Sequence, residues 1–277
     1  AMPCVLAAII SREIIASKNW RNLIVVGMLV VLIVGNAVFH WEDALGNNAA
    51  QGYGLRIGLG AGIMMIAVIG GRVVPSFTRN WLVQQGTTAR PTPPMQRFDK
   101  VALLALLVAL IGWVLMPNAR GVAALLGLAG GLHLVRLVRW KGLHTTAESL
   151  VAVLHIAYIF VPLGALALAA QIAFPGLVSL GAVQHLWMSG AIGLMTLAVM
   201  TRATLGHTGH DLRAGPGTVL IYASLLGATL LRVSAALWPG LAPSLYTGSA
   251  LLWIASFLGF VVVYGPLLAR PKPAKSG

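Results

Sequence analysis

The sequence predicts an all-α, polytopic transmembrane helical bundle with about eight full spans and a partial helix at the N-terminus. Three observations support this class: 58% of the 277 residues are hydrophobic, only 9% are charged, and the mean hydropathy is +0.87. Soluble domains are about one-quarter charged. The long unbroken apolar runs also exclude a barrel of alternating strands, and so apolar a composition excludes a disordered chain. We expect residues 1–277 to form a single integral-membrane domain.

Eight apolar runs approach the roughly 20 residues that cross a bilayer. In chain order they occupy about residues 22–39, 54–74, 101–117, 121–138, 147–170, 183–201, 217–237 and 247–267. The chain starts inside a further apolar run, residues 1–11, so we expect an N-terminally truncated form of a longer protein. The stretch from Pro75 to Lys100 is rich in Pro and Thr, which predicts a turn followed by a flexible linker.

The net charge of +13 is distributed as the positive-inside rule requires. If the segment Ser11 to Arg21 and the C-terminal tail are cytoplasmic, sixteen of the 19 Lys and Arg residues lie on that side, including Arg270, Lys272 and Lys275. Only Arg56, Arg120 and Arg232 fall near the other side. This asymmetry predicts a multi-pass protein with a cytoplasmic C-terminus and the lipid bilayer as its partner. It explains the charge without nucleic acid, so we exclude DNA and RNA binding.

Aromatic residues and glycines mark the ends and faces of the spans. Seven aromatic side chains at or near span ends are predicted to anchor the protein at the interface: Trp41, Tyr53, Trp81, Trp140, Trp187, Trp238 and Tyr246. Glycines recur every four residues at Gly54, Gly58 and Gly62 and at Gly127 and Gly131. Such faces let helices approach closely. We favour packing within the bundle, with a homo-oligomer interface as the alternative.

The seven histidines carry the chemical interest, because a polar ring in hydrocarbon needs a partner or a cavity. With a rise of about 1.5 Å per residue, His133 lies roughly 8 Å and His155 roughly 12 Å from the cytoplasmic ends of consecutive spans. A short loop joins these spans, so one haem or metal could be held between the two rings. The alternative is that each ring hydrogen-bonds to a neighbouring helix. Tyr158, one turn from His155, is a candidate partner.

A second candidate layer lies near the opposite surface, where His40 closes the first span and His185 opens the sixth. Met188 follows His185 by one turn and is a soft ligand suited to reduced copper, although methionine more often fills a core. His207 lies three residues before His210, a spacing that could bind metal weakly. The alternative for His207 is a turn within a Gly-rich loop.

Charged side chains complete the list of candidates. Arg136 follows His133 by one turn, and Arg202 closes the sixth span. Either guanidinium could meet a haem propionate, or could extend to the lipid headgroups. All six acidic residues, Asp99 included, are predicted in loops or at helix ends, so we expect no acidic proton relay in the membrane. No phosphate loop, dinucleotide fingerprint or nucleophile elbow is found.

Four runs together resemble the NnrS family of bacterial inner-membrane proteins: GGRVVPSFTRNWL at 70–82, HLVRLVRWKG at 133–142, LHIAY at 154–158 and QHLWMSGAIGLMTLAVMTRATLGHTGH at 184–210. The resemblance extends from about residue 12 to about residue 265. It implies a protein that contains haem and copper and is linked to denitrification and tolerance of nitric oxide. Members usually carry further spans before this region, which agrees with the expected truncation. The matching polar residues are His40, Arg72, His133, Arg136, His155, Tyr158, His185, Arg202 and His207.

Our first hypothesis is therefore a haem- and copper-binding inner-membrane protein of the response to nitric oxide and nitrosative stress. Whether it is an enzyme stays open. The alternative is a transporter or channel for a metal, haem or small solute, in which His and Met residues are transit ligands. A third hypothesis, a scaffold for a respiratory complex, predicts that His-to-Ala changes at 133, 155 and 185 leave the phenotype intact.

Overall fold

The computed structural model of the protein describes residues 2–269, apart from the side chain of Arg21. This part of the chain forms nine helices and no strand. They are α1 (Met2–Ala16), α2 (Leu23–Ala44), α3 (Tyr53–Gln84), α4 (Arg97–Leu115), α5 (Arg120–Arg139), α6 (Ser149–Ala173), α7 (Leu180–His207), α8 (Pro216–Leu237) and α9 (Ala242–Ala269). The helices α2 to α9 are long and apolar enough to cross a membrane. The predicted bundle of about eight spans and a shorter N-terminal helix is confirmed.

Consecutive helices pack against one another, so the connections alternate between two ends of the bundle. The basic end holds the connections 17–22, 85–96, 140–148 and 208–215, and the opposite end holds 45–52, 116–119, 174–179 and 238–241. Arg56, Arg120 and Arg232 lie toward the opposite end, as the charge pattern predicts. Arg270, Lys272 and Lys275, which the same pattern places in the cytoplasm, lie outside the described residues.

The most enclosed helices are α3, α6 and α7. Leu154 and Leu197 are fully buried in this centre. By contrast, α2 and α9 expose apolar side chains such as Val31 and Val262 over most of their length. Such exposure would promote aggregation in water, but it matches the hydrocarbon of a bilayer. The fold therefore has apolar side chains both in its centre and on the outer faces of α2 and α9, which suit contact with lipid.

Glycines allow α2 and α3 to pack backbone to backbone. A Cβ atom at Gly54 would overlap the backbone of Phe39, and one at Gly35 would overlap the backbone of Gly58. Gly62 is similarly close to the side chain of Ile192 in α7. The predicted packing role is confirmed for this face. Around Gly127 and Gly131 of α5, no atom of another element lies within 4 Å of a Cβ position, so packing within the chain does not account for them.

Helix α3 continues ten residues beyond its predicted end. Val74, Thr78 and Leu82 recur every four residues and are fully buried, so this stretch has one face in the protein core. That burial keeps the segment helical although Pro75 cannot donate a backbone hydrogen bond. The prediction of a turn and linker from Pro75 is wrong for residues 75–84. The connection itself spans residues 85–96.

Two aromatic side chains predicted at the interface lie in the core instead. Trp140 and Trp187 are fully buried, so the anchoring prediction is wrong for both. Trp187 belongs to a π-helical segment of α7, Leu186–Gly193, and its Nε1 donates to the carbonyl of Val161 at 3.0 Å. Trp41 and Trp238 are exposed at helix ends, as an interfacial belt requires.

The contact between α2 and α3 predicts a position-specific effect of a single methyl group. Gly54→Ala should lower the free energy of unfolding by about 1–3 kcal/mol, because the two backbones must separate to admit the Cβ atom. Gly127→Ala is the matched control, since its Cβ meets open space. Unfolding in a denaturing detergent titration measures both. Equal stability of the two variants would contradict the proposed close contact.

Candidate functional site

A fully buried ion pair joins α4 to α5. Arg136 Nε donates to Asp99 Oδ1 at 2.8 Å, and neither side chain reaches solvent. No other salt bridge is formed within residues 2–269. Asp99 Oδ2 accepts from the backbone N–H of Gln96 at 3.0 Å, so the same carboxylate caps the start of α4. Asp99 is thus at a helix end as predicted, but it also has a buried partner that the sequence analysis did not identify.

One further guanidinium nitrogen of Arg136, Nη1, reaches α3 and α6, whereas Nη2 is buried without a hydrogen bond in the described part of the chain. Nη1 donates to the carbonyl of Ala67 at 3.0 Å and to the hydroxyl of Tyr158 at 2.7 Å. The guanidinium carbon lies 5.1 Å from the ring centre of Trp140. A Cβ atom at Gly71 would overlap the guanidinium, so a glycine is needed at this point of α3. One side chain therefore holds four helices in contact.

The directions of the hydrogen bonds then determine which ring nitrogen of His133 carries the proton. Its Nε2 lies 3.2 Å from the carbonyl of Ala102, which can only accept, so Nε2 carries the proton of the neutral ring. Its Nδ1 lies 2.9 Å from the Tyr158 hydroxyl and accepts the proton that Tyr158 donates. The chain of donors runs from Arg136 through Tyr158 to His133. Both ring nitrogens of His133 are engaged, and neither is free to bind a metal in this geometry.

His155, by contrast, keeps one ring nitrogen without a partner. Thr78 Oγ1 lies 2.8 Å from both the carbonyl of Val74 and His155 Nε2, and its single proton can serve one of them. When that proton goes to Val74, Nε2 carries the proton of the neutral ring and the lone pair is on Nδ1. This atom is buried and forms no hydrogen bond within the described residues. His155 as a whole is only 8% exposed.

Aromatic rings connect the two histidines. The His133 ring stacks on Tyr158, with ring centres 6.0 Å apart. Trp140 packs edge-on against Tyr158 at 4.5 Å and against His155 at 6.5 Å. Trp140 Nε1 is a further buried donor without a partner in the described part of the chain. Tyr158 thus bonds to His133 and not to His155, the histidine one turn away in its own helix.

A cavity of about 520 Å³ adjoins His155 at the basic end. The end of α5, the connection 140–148 and α6 form its walls, which include Val138, Lys141, Gly142 and Ile159. A Cβ atom at Gly142 would overlap the His155 ring beside Nδ1. Gly142 thus packs directly against this nitrogen at the wall of the cavity. Sites for small molecules and cofactors typically measure about 300–1,000 Å³.

The two other predicted arginines lie apart from this network. Arg72 is half-buried and lines a different cavity with Glu13 and Asn19, although its neighbour Gly71 contacts Arg136. Arg202 is buried, with its guanidinium carbon 4.1 Å from the ring centre of Phe77. Neither arginine has a carboxylate within 4.0 Å in the described structure.

The predicted metal residues are not gathered into one site. His185 Nδ1 donates to the carbonyl of Gly181 at 2.6 Å, and its Nε2 accepts from Arg232 at 3.1 Å. His40 and Met188 are exposed. His207 ends α7 at the basic end, about 33 Å along the helix from His185. Within residues 2–269, no three His, Cys, Asp or Glu side chains are placed to hold a metal ion.

The sequence analysis missed Thr78, Asp99, Trp140 and Gly142. Asp99 had a recognisable signal, since Gln96 and Asp99 are spaced as a capping pair at the start of an apolar run. Thr78 and Gly142 had none, because their roles depend on a ring supplied by another helix.

A family model described as NnrS protein matches residues 1–272 of the chain. No curated protein and no solved structure matches the chain.

The ion pair predicts a strong asymmetry between two acidic residues. Asp99→Ala should lower the free energy of unfolding by about 3–5 kcal/mol, because it leaves Arg136 charged and buried without its partner. Asp211→Ala, at an exposed position, should change it little. The double variant Asp99→Leu/Arg136→Met should recover much of the loss, since neither charge then remains. A denaturant titration in detergent distinguishes these outcomes, and equal stability of the two single variants would refute the assignment.

Proposed function

The chain belongs to the NnrS family, and we propose that it is a haem-binding protein of the bacterial inner membrane that takes part in the response to nitric oxide. We propose further that its basic end faces the cytoplasm, as the positive-inside pattern favours. The observation that carries the haem assignment is the buried, unpartnered Nδ1 of His155 beside a large cavity.

The side chains around this cavity fit a haem group in three respects. His155 Nδ1 would offer the lone pair that iron needs, at a point where Gly142, which has no side chain to move aside, packs against it. The cavity walls are mainly apolar, as a macrocycle requires. Lys141 lines the cavity, and its ammonium group is suited to the carboxylate of a propionate.

We assign one protein ligand, His155, to the iron, whereas the sequence analysis considered a haem held between His133 and His155. A haem held by this one imidazole would supply iron that can bind a diatomic molecule such as nitric oxide. Thr78 fixes the His155 tautomer through Nε2, as hydrogen-bonded partners of metal-binding histidines usually do. Arg136 serves this site indirectly, by holding Trp140 in place, because its charge is already met by Asp99.

Copper, which the family resemblance also implies, has weaker support. The half-buried His185 would have to give up its hydrogen bond from Arg232 before Nε2 could bind a metal. A cation would also be unfavourable so close to that guanidinium. We therefore assign no copper ligands.

Haem content should depend on His155 and on the space beside it. His155→Ala should abolish the reduced-minus-oxidised haem band of the purified chain. Gly142→Val should abolish it too, because its side chain would overlap the His155 ring beside Nδ1 and displace the imidazole. Gly240→Val is the matched control, because Gly240 also lies in a connection between helices, residues 238–241, and has open space around it. His133→Gln should retain haem, since His133 has no free ring nitrogen.

Retention of the band in both His155→Ala and Gly142→Val would contradict the proposed ligand. A wild-type chain without haem, but with metal- or haem-dependent uptake into vesicles, would favour the transporter hypothesis instead. Nitric oxide should shift the Soret band of the reduced wild-type protein. Failure of that shift in a haem-loaded protein would remove the link between this site and nitric oxide.

The hydrogen bond from His155 to Thr78 should tune the affinity for haem. Thr78→Val keeps the shape of the side chain but removes the acceptor for Nε2, so the affinity should fall about tenfold or more. Thr208→Val is a control at a hydroxyl just after the end of α7, which donates to the carbonyl of Thr204 and makes no contact with His155. Haem titration of the apoprotein measures both variants, and equal affinities would show that Thr78 does not orient the ring.

A further inference from the structure

A second, smaller cavity lies at the opposite end of the bundle from His155. It measures about 50 Å³ and lies among the α2–α3 connection, α3, the end of α4 with the 116–119 turn, α6 and α7. Its polar walls are formed by Arg56 and the amide residues Gln51, Asn118, Gln171 and Gln184. Five elements of the structure thus bring polar side chains to one small space.

Arg56 faces this cavity with one edge of its guanidinium free. Nη1, on the other edge, donates to the backbone carbonyl of Gln51 at 2.6 Å, so that edge is already hydrogen-bonded. The guanidinium carbon lies 4.7 Å from the ring centre of Tyr53, and this stacking fixes the plane of the group. Nε is buried and forms no hydrogen bond in the described part of the protein. A buried donor without a partner is costly and calls for a ligand or water.

The charge of Arg56 has no counter-ion in the described structure. No carboxylate lies within 4.0 Å of it. The acidic residue nearby, Glu42, uses its two oxygens to accept from the backbone N–H groups of Tyr53 and Gly54, at 2.7 and 3.0 Å. Glu42 therefore caps the start of α3, and the cavity walls include no acidic residue.

We infer that this cavity binds a small planar oxyanion, of the size of nitrite, nitrate or formate, through the Nε–Nη2 edge of Arg56. The two parallel N–H bonds of that edge match two oxygens of a planar anion. The amide groups of Gln171 and Gln184 can donate to the remaining oxygen atoms. The volume suits such an ion, since one water needs roughly 10–15 Å³ measured in the same way. This inference does not depend on the haem assignment, which concerns the other end of the bundle.

Isothermal titration of the purified full chain in detergent tests the inference. Sodium nitrite, nitrate and formate are the probes, with sodium gluconate keeping the ionic strength constant. We expect saturable binding of one ion per chain, and weaker binding of sulfate, which is larger and tetrahedral. Arg56→Gln should weaken the binding about tenfold or more, because a charged, bidentate contact is lost. Arg120→Gln, an exposed arginine at the same end, should leave it unchanged.

Two further variants keep the result interpretable. Arg56→Lys retains the charge but lacks the paired N–H edge, so it should also bind planar oxyanions more weakly than the wild type. Gln184→Leu removes one proposed donor without touching the charge, and it should weaken binding several-fold even if Arg56→Gln does not fold. Absence of binding to the wild type would overturn the inference. Equal losses in Arg56→Gln and Arg120→Gln would do so too, because they would indicate general charge attraction only.

Discussion

The ion pair between Arg136 and Asp99 is the interaction on which the centre of this bundle depends. Both side chains are buried in protein, where neither charge can be hydrated, so each requires the other as a partner. The pair joins α4 to α5, and the second nitrogen of the guanidinium reaches the backbone of α3 and the Tyr158 hydroxyl of α6. Removing either charge would leave the other buried, which makes the whole arrangement cooperative.

The same network explains why two histidines at similar depth have different chemistry. His133 belongs to the hydrogen-bond chain that starts at Arg136, and both of its ring nitrogens are committed. His155 lies beyond Trp140, where Thr78 satisfies Nε2 and leaves Nδ1 with its lone pair. The ring of Trp140 thus separates His133, which has a structural role, from His155, the candidate ligand. The network also keeps that ring in place, because Arg136 packs on Trp140.

The two ends of the bundle offer different chemistry to a ligand. At the basic end, a largely apolar cavity meets an imidazole lone pair, which suits a flat metal-containing cofactor. At the opposite end, a small polar cavity meets a guanidinium edge and several amides, which suits an anion. Both sites lie where connections between helices meet the bundle. Loops held by rigid helices commonly carry binding groups in this way.

Hydropathy and charge distribution alone determined the eight spans, their alternation and the segregation of Lys and Arg, because a bilayer imposes length and polarity on every helix that crosses it. The buried arginine and the histidines were also recognisable as residues that need partners. Tertiary structure alone decided which partners they have. Asp99, Thr78 and Gly142 come to their sites from other segments, and a hydrogen bond across helices leaves no periodic signal in the sequence. Likewise, α3 continues past Pro75 only because its face at Val74 and Leu82 is covered by other helices.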